Sequence, residues 1–133
     1  MPSSCHCNTL RLAARRLSAT YDAALAPLGI NIAQYALLRV VAHRQPVSLT
    51  TLGQLQGLDR STVGRNVRVL ERLGALATGR NDQDQREAVV RLTESGADLL
   101  AKAHPLWAAC QSAVETKVGA DKLRAVVDVL DLL

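Results

Sequence analysis

The sequence predicts a mainly α-helical fold carrying one small β-hairpin, and three patterns in its 133 residues predict it. Between residues 48 and 74, apolar side chains recur at helical spacing behind polar capping residues. Two short runs of alternating or β-branched character, 75–80 and 87–93, flank a tip without apolar residues, Asn81-Asp82-Gln83-Asp84-Gln85. From residue 94 to about 118, helical spacing returns over a long stretch.

Taken in order, residues 9–25 place Leu10, Ala13, Ala14, Leu17, Tyr21, Ala24 and Leu25 at helical spacing, ended by Pro27 and Gly29. Asn31 caps a second helix running through Ala42. Ser48 caps a third with Leu49, Leu52 and Leu55 as its apolar stripe, and Gly57 breaks it as the turn of a helix-turn-helix requires. Asp59 caps the fourth helix, where Val63, Val67 and Leu70 fall at i, i+4 and i+7. Leu73 continues the apolar character and Gly74 stops the helix. With the hairpin behind it, this unit reads as a winged helix-turn-helix spanning residues 31–93. Residues 94–118 and 121–133 form two further helices. Pro105 removes one backbone donor from the first of these and predicts a bend there, either a curve following a subunit surface or a hinge.

The fourth helix carries the chemistry. Its face away from the stripe offers Arg60, Ser61, Thr62, Arg65, Asn66 and Arg68, the donors needed for phosphates and major-groove base edges. Alone, such a face is an ordinary solvated surface; the hairpin behind it makes it a reading head. Arg80 and Arg86 flank the hairpin tip, where a guanidinium can meet the backbone or the narrow minor groove of a duplex. Asp84 is placed to orient Arg86 through a charge-assisted pair.

Composition agrees. A chain that is 48% hydrophobic and 21% charged, without a long apolar run or signal-peptide pattern, is expected to be one domain over 1–133, cytoplasmic and free of membranes. Positive charge is concentrated early: five basic residues against one acidic in 1–47, seven against five in 48–93, and four against six in 94–133. Every basic residue up to Arg91 is arginine, whose planar fork suits bidentate phosphate or guanine contacts. No nucleophile has a base at recognisable spacing and no glycine-rich phosphate loop occurs, so neither an enzyme nor a cofactor is expected.

On the long helix, Leu99, Ala103, Leu106 and Cys110 share a stripe bordered by Leu100 and Trp107, more apolar surface than one small chain is expected to cover. Residues 1–30 and 94–133 are therefore expected to join two copies, with the recognition helices about 34 Å apart on a near-palindromic double-stranded DNA site. Cys5 and Cys7 point about 200° apart if helical, so they hold one ion only if the chain there is extended. With Cys110 supplied across the dimer, they are candidates for thiol oxidation or soft-metal capture; the plain alternative is reduced thiols, with Cys110 a small buried hydrophobe. His43 and His104 have no metal-ligand spacing and receive no role.

The runs Leu58-Asp59-Arg60-Ser61-Thr62-Val63, Leu70-Glu71-Arg72-Leu73-Gly74, Asp84-Gln85-Arg86 and Leu92-Thr93-Glu94-Ser95-Gly96, with Gln34-Tyr35-Ala36-Leu37-Leu38 upstream, resemble the multiple antibiotic resistance regulator (MarR) family over roughly the whole chain. The resemblance implies a dimeric winged-helix transcriptional regulator, a repressor released by an effector. It further implies a small organic ligand, often phenolic, entering between the dimer helices and the winged unit; with few aromatics in the chain, an aliphatic pocket is expected. Two positions depart from the family pattern and bear on base preference: Gln85 stands where an arginine is common, and Gly64 where a hydroxyl or larger residue is usual. Inside a helix Gly64 costs about 0.5 to 1 kcal/mol relative to alanine.

Overall fold

A computed structural model describes residues 5–133. Helix α1 spans His6–Leu25, three residues earlier than the apolar spacing alone indicates, and a 3-10 turn, Ala26–Leu28, follows it. Then come α2 (Ile32–Arg44), β1 (Val47–Ser48), α3 (Leu49–Gln56), α4 (Arg60–Arg72), β2 (Leu76–Arg80), β3 (Ala88–Leu92), α5 (Glu94–Val118) and α6 (Ala120–Leu132). All six expected helices and the hairpin are present, and side-chain caps start four of the helices, α2 to α5. The sheet holds one strand more than the hairpin: β1 pairs antiparallel with β3, Val47 opposite Val90, giving the order β1-β3-β2.

Caps explain the boundaries. Asn31 and Gln34 form a reciprocal capping box at the start of α2, and Asp22 of α1 accepts from the Ile32 amide at 2.8 Å, tying the two helices together. Ser48 accepts from Thr51 N, Asp59 from Thr62 N and Thr93 from Gly96 N, one capping side chain for each of α3, α4 and α5. Between α3 and α4 the chain turns through Gly57 in the left-handed region (φ 64°). A β-carbon at Gly53 would lie 2.9 Å from the Leu58 carbonyl oxygen, so the turn closes on a position where no side chain fits.

The core lies among α2, α3, α4, the sheet and α5. Leu25, Leu37, Leu38, Val41, Leu52, Val63, Leu70, Val90 and Ala103 are all fully buried. Val63, Val67 and Leu70 seat α4 as their spacing predicts. One stripe assignment is corrected: Leu55, in the last turn of α3, is 45% exposed; Leu73, the cap residue that follows α4, is 51% exposed.

The α5 stripe is corrected as well. Ala103 is buried, and Leu99, Leu100, Leu106 and Trp107 pack against the core of the same protomer, because α2 lies along that face. Uncovered apolar surface sits elsewhere. On α1, Leu10, Leu12 and Leu17 are exposed and only Tyr21 and Leu25 are buried. On α6 no residue is buried, and Val126, Val127, Val129 and Leu130 face solvent. Helix α5 continues unbroken through Pro105.

At its other end α5 is stapled to the α4–β2 turn. Thr93 donates its hydroxyl to the Gly74 carbonyl at 2.6 Å and its amide to Ala75 O at 3.1 Å. Gly96 sits so close that a β-carbon there would fall 2.0 Å from the Ala75 oxygen. Among the described residues, no single helix is long and apolar enough to cross a membrane.

Candidate nucleic-acid interface

Helix α4 is anchored by its buried stripe, which decides what the rest of it presents. At about 100° per residue, Ser61, Arg65, Arg68 and Arg72 lie within about 50° of the direction opposite that stripe. All four are exposed. Arg72 joins the six polar residues that the sequence pattern marks on this helix; its signal is the seven-residue spacing from Arg65. Arg60 and Asn66 sit instead on the flanks of the buried stripe: Asn66 is half-buried, and Arg60 lines a groove with Leu49, Gly53, Gln54 and Leu58 at the helix-turn-helix corner. Thr62 is also half-buried.

A short polar chain organises the start of the helix. Asp59 Oδ1 accepts from the Thr62 amide at 2.8 Å and from the Ser61 hydroxyl at 2.9 Å, while Arg65 Nη2 donates to Thr62 Oγ1 at 3.2 Å. The Thr62 amide, then the Ser61 and Thr62 hydroxyls, hold the Asp59 carboxyl below the usual carboxylate range, and Arg65 adds to the effect. Gly64 lies one turn before Arg68. A β-carbon there would meet only Arg68 Nη1, at an ordinary 3.6 Å, so nothing within the chain requires a glycine.

In the wing, Arg80 ends β2 opposite Ala88, and the tip closes on itself. Asn81 N donates to Glu87 O at 2.9 Å, the Asn81 side-chain amide donates to Glu87 Oε2 at 2.6 Å, and Gln83 N donates to Asn81 Oδ1 at 2.9 Å. Asp84 lies beside Arg86, and its main contact is with the backbone rather than with the guanidinium. Its Oδ1 accepts from the Arg86 backbone amide at 3.0 Å and lies 3.9 Å from Arg86 Nε, so it shapes the loop and leaves the guanidinium, 98% exposed, free to turn outward. Arg91 of β3 reaches Asp82 at 4.0 Å across the tip.

Behind this surface, between α2 and α5, lies a cavity of about 510 Å³ lined in part by Tyr35, Arg39, His43, Leu100 and His104. Its lining combines aliphatic residues with one tyrosine, one arginine and two histidines. Two of its wall residues are held by Trp107 beside it: Tyr35 stacks on Trp107 with ring centroids 5.9 Å apart, and the Arg39 guanidinium stands 4.9 Å from the Trp107 centroid. The Tyr35 hydroxyl and His104 Nδ1 are 3.3 Å apart. Burial pushes the Tyr35 phenol up, and Arg39 pulls it partly back. His43 and His104, without assignable roles by spacing, are thus wall residues of one cavity.

The cysteines do not converge within a protomer. Cys5 and Cys7 are exposed at the start of α1, whereas Cys110 is half-buried on α5 with Sγ 3.8 Å from the carbonyl of Thr20. Thr20 lies about 20 Å along α1 from Cys7 at a rise of about 1.5 Å per residue. Among the described residues, no group of three His, Cys, Asp or Glu side chains is placed to hold a metal ion.

A three-stranded sheet with a hairpin wing, packed beside a capped helix whose stripe is buried and whose outer face is basic, defines a winged helix-turn-helix protein. Comparison with known proteins sharpens this. Residues 28–87 match the family model described as the MarR family. The transcriptional regulator MosR of M. tuberculosis, solved in complex with DNA, is 33% identical, with 96% of this chain and 93% of that one aligned and a TM-score of 0.84. The PcaV transcriptional regulator of Streptomyces coelicolor, solved with its natural ligand, is 25% identical over 98% of this chain and 95% of that one, with a TM-score of 0.80. The organic hydroperoxide resistance transcriptional regulator of Bacillus subtilis is 28% identical over 73% of this chain and 66% of its own length. The chain belongs to the MarR family. It spans 59% to 66% of the length of the curated relatives it matches.

Proposed function

We propose that this protein is a cytoplasmic, homodimeric transcriptional repressor that binds a near-palindromic double-stranded operator through α4 and the wing and leaves it when an effector binds. The observation carrying this reading is the outer face of α4, where Ser61, Arg65, Arg68 and Arg72 stand exposed on a helix held by Val63, Val67 and Leu70. In this reading α4 enters the major groove, with Arg60, Thr62 and Asn66 at its edges. Arg80 and Arg86 bring the wing to the neighbouring groove. Two copies join through the exposed leucines of α1 and the apolar face of α6.

The cavity beside Arg39 is the site we assign to a small organic effector. Its aromatic wall and one guanidinium suit a ring bearing a carboxylate or phenolate.

The regulator reading is tested by fluorescence anisotropy of the reduced protein on DNA from upstream of its own gene against a scrambled duplex, near physiological salt. Tighter binding to the upstream DNA with a steep salt slope supports it. Equal weak binding to that duplex and to a pool of random sequences overturns it in favour of a winged fold used for protein contact.

A second reading, compatible with the first, is supported by two exposed thiols, Cys5 and Cys7, within three residues of each other, and by similarity to a regulator named for organic hydroperoxide resistance. A hydroperoxide oxidises one thiol to a sulfenic acid as its O–O bond breaks and an alcohol leaves; a second thiol then displaces water to form a disulfide. A bridge between Cys5 and Cys7 needs the first turn of α1 unwound, and a bridge to Cys110 needs the partner subunit; soft-metal capture by the same thiols is its competitor. Operator affinity should fall on treatment with an organic hydroperoxide, and Cys5→Ser with Cys7→Ser should abolish that fall while leaving the reduced affinity intact. An unchanged response in the double variant removes this reading.

A further inference from the structure

The hydrogen bonds at the start of α4 run in one direction, and that direction has a consequence for which bases the helix accepts. An ionised carboxylate only accepts hydrogen bonds, whereas a hydroxyl has one proton and two lone pairs. Ser61 Oγ lies 2.9 Å from Asp59 Oδ1, so its single proton is committed to Asp59. The hydroxyl oxygen is exposed on the outermost face of the helix with only lone pairs left to offer. One turn further on the polarity reverses: Arg65 donates to Thr62 Oγ1, and Arg65 and Arg68 present only donors. On the outer face, Ser61 is therefore an acceptor and the turn that follows it, with Arg65 and Arg68, a donor edge.

We propose that Ser61, polarised by Asp59, is a specificity-determining residue that accepts a hydrogen bond from an exocyclic amino group in the major groove, adenine N6 or cytosine N4, and disfavours the keto edges of guanine and thymine at that position. The inference rests on the regulator reading and deepens it. In the major groove the amino groups are the only base-edge hydrogen-bond donors, and O6 of guanine and O4 of thymine are acceptors that meet the lone pairs of Ser61 unfavourably. Asp59 acts through Ser61 as a positioning residue. Its contact with the Thr62 amide holds it at the start of the helix.

The test is binding-site selection from a random duplex pool, followed by competition anisotropy with single-base replacements, on wild-type protein, Ser61→Ala and Asp59→Asn. Wild type should show, once per half-site, a position preferring adenine or cytosine over guanine or thymine on one strand by about three- to tenfold, the scale of one net hydrogen bond. If the preferred base is adenine, purine lacking the N6 amino group should cost the same factor. Ser61→Ala should level that one position and no other, with an unchanged far-UV spectrum. Asp59→Asn keeps an oxygen to cap Thr62 N but loses the charge and adds a donor, so it should admit guanine or thymine there to within about threefold of the original base.

A keto preference at the position that responds to Ser61→Ala, or full retention of every base preference in that variant, overturns the inference and leaves the regulator reading standing. No sequence preference in the wild-type protein overturns the regulator reading, and this inference with it.

Discussion

The helix-turn-helix and wing are complete within one chain, whereas α1 and α6 are not. In the first region every helix has a side-chain cap, the amides of Gln83 and Arg86 in the wing tip are taken up by side chains of the tip, and the apolar stripes end in a shared core around Leu52, Val63, Leu70 and Val90. In the second, α1 has no side-chain cap, and α6 buries none of its residues while exposing 71% of Leu130. The reading head thus finds its core within one protomer, whereas α1 and α6 carry uncovered apolar surface, which our reading assigns to a second copy.

The largest expected effect breaks the unfinished region alone. Val126→Glu with Leu130→Glu should leave helical content unchanged, convert the protein to monomers by light scattering at micromolar concentration, and lower operator affinity roughly 100-fold through loss of the second half-site. Retained dimers in that variant would move the interface away from α6.

Next comes the joint between the regions. Gly96→Ala forces a β-carbon onto the Ala75 carbonyl and should lower stability by roughly 1 to 3 kcal/mol in chemical unfolding, with the denatured midpoint falling at constant slope. A change within error would mean that α5 shifts along its own axis at no cost.

Within the reading head, Arg86→Ala should weaken operator binding and reduce the salt slope by about 1, the signature of one lost phosphate contact. Asp84→Ala should weaken it less, because its carboxylate holds the Arg86 amide and only brushes the guanidinium. Equal losses would assign Asp84 a direct part in presenting Arg86.

Gly64→Ala should stabilise α4 by about 0.5 to 1 kcal/mol, since a methyl there meets only Arg68 at an ordinary distance. Loss of operator affinity in the same variant would show that the DNA backbone approaches this position closely.

The smallest effect is that of acid. Folding lowers the Asp59 carboxyl below its ordinary range, so its contribution is present in full above the unfolded value and is lost as pH falls through the folded one. Asp59→Asn should flatten the acid limb of the stability profile over that window, and an unaltered limb would show that the cap does not contribute.

Much of the reading head was legible because its determinants are local. Ser48, Asp59, Asn31 and Gly57 act within four residues of themselves, and the stripe of α4 is a matter of spacing. What stayed hidden depends on distant partners. β1 is two residues long and exists only because Val89 and Val90, some forty positions on, lie beside it. The contact of Arg39 with Trp107 joins two distant helices, and the α5 stripe packs on its own protomer where spacing points to a partner, because spacing cannot tell which neighbour covers a face. In the candidate interface, spacing placed Arg65 and Arg68 outward, but the direction of the Ser61 proton needed coordinates.

Thr93 closes the first turn of α5 and, with the same oxygen, grips the carbonyl that ends the α4 turn. That double attachment makes the 25-residue α5 a lever about 37 Å long with α4 fastened at its short end. A rocking of about 5° along such an arm displaces its tip by about 3 Å, close to the 3.4 Å step between base pairs. If two copies are joined at the far ends of such arms, as our reading requires, a slight adjustment far from the duplex becomes a misfit of one rung between the paired grooves.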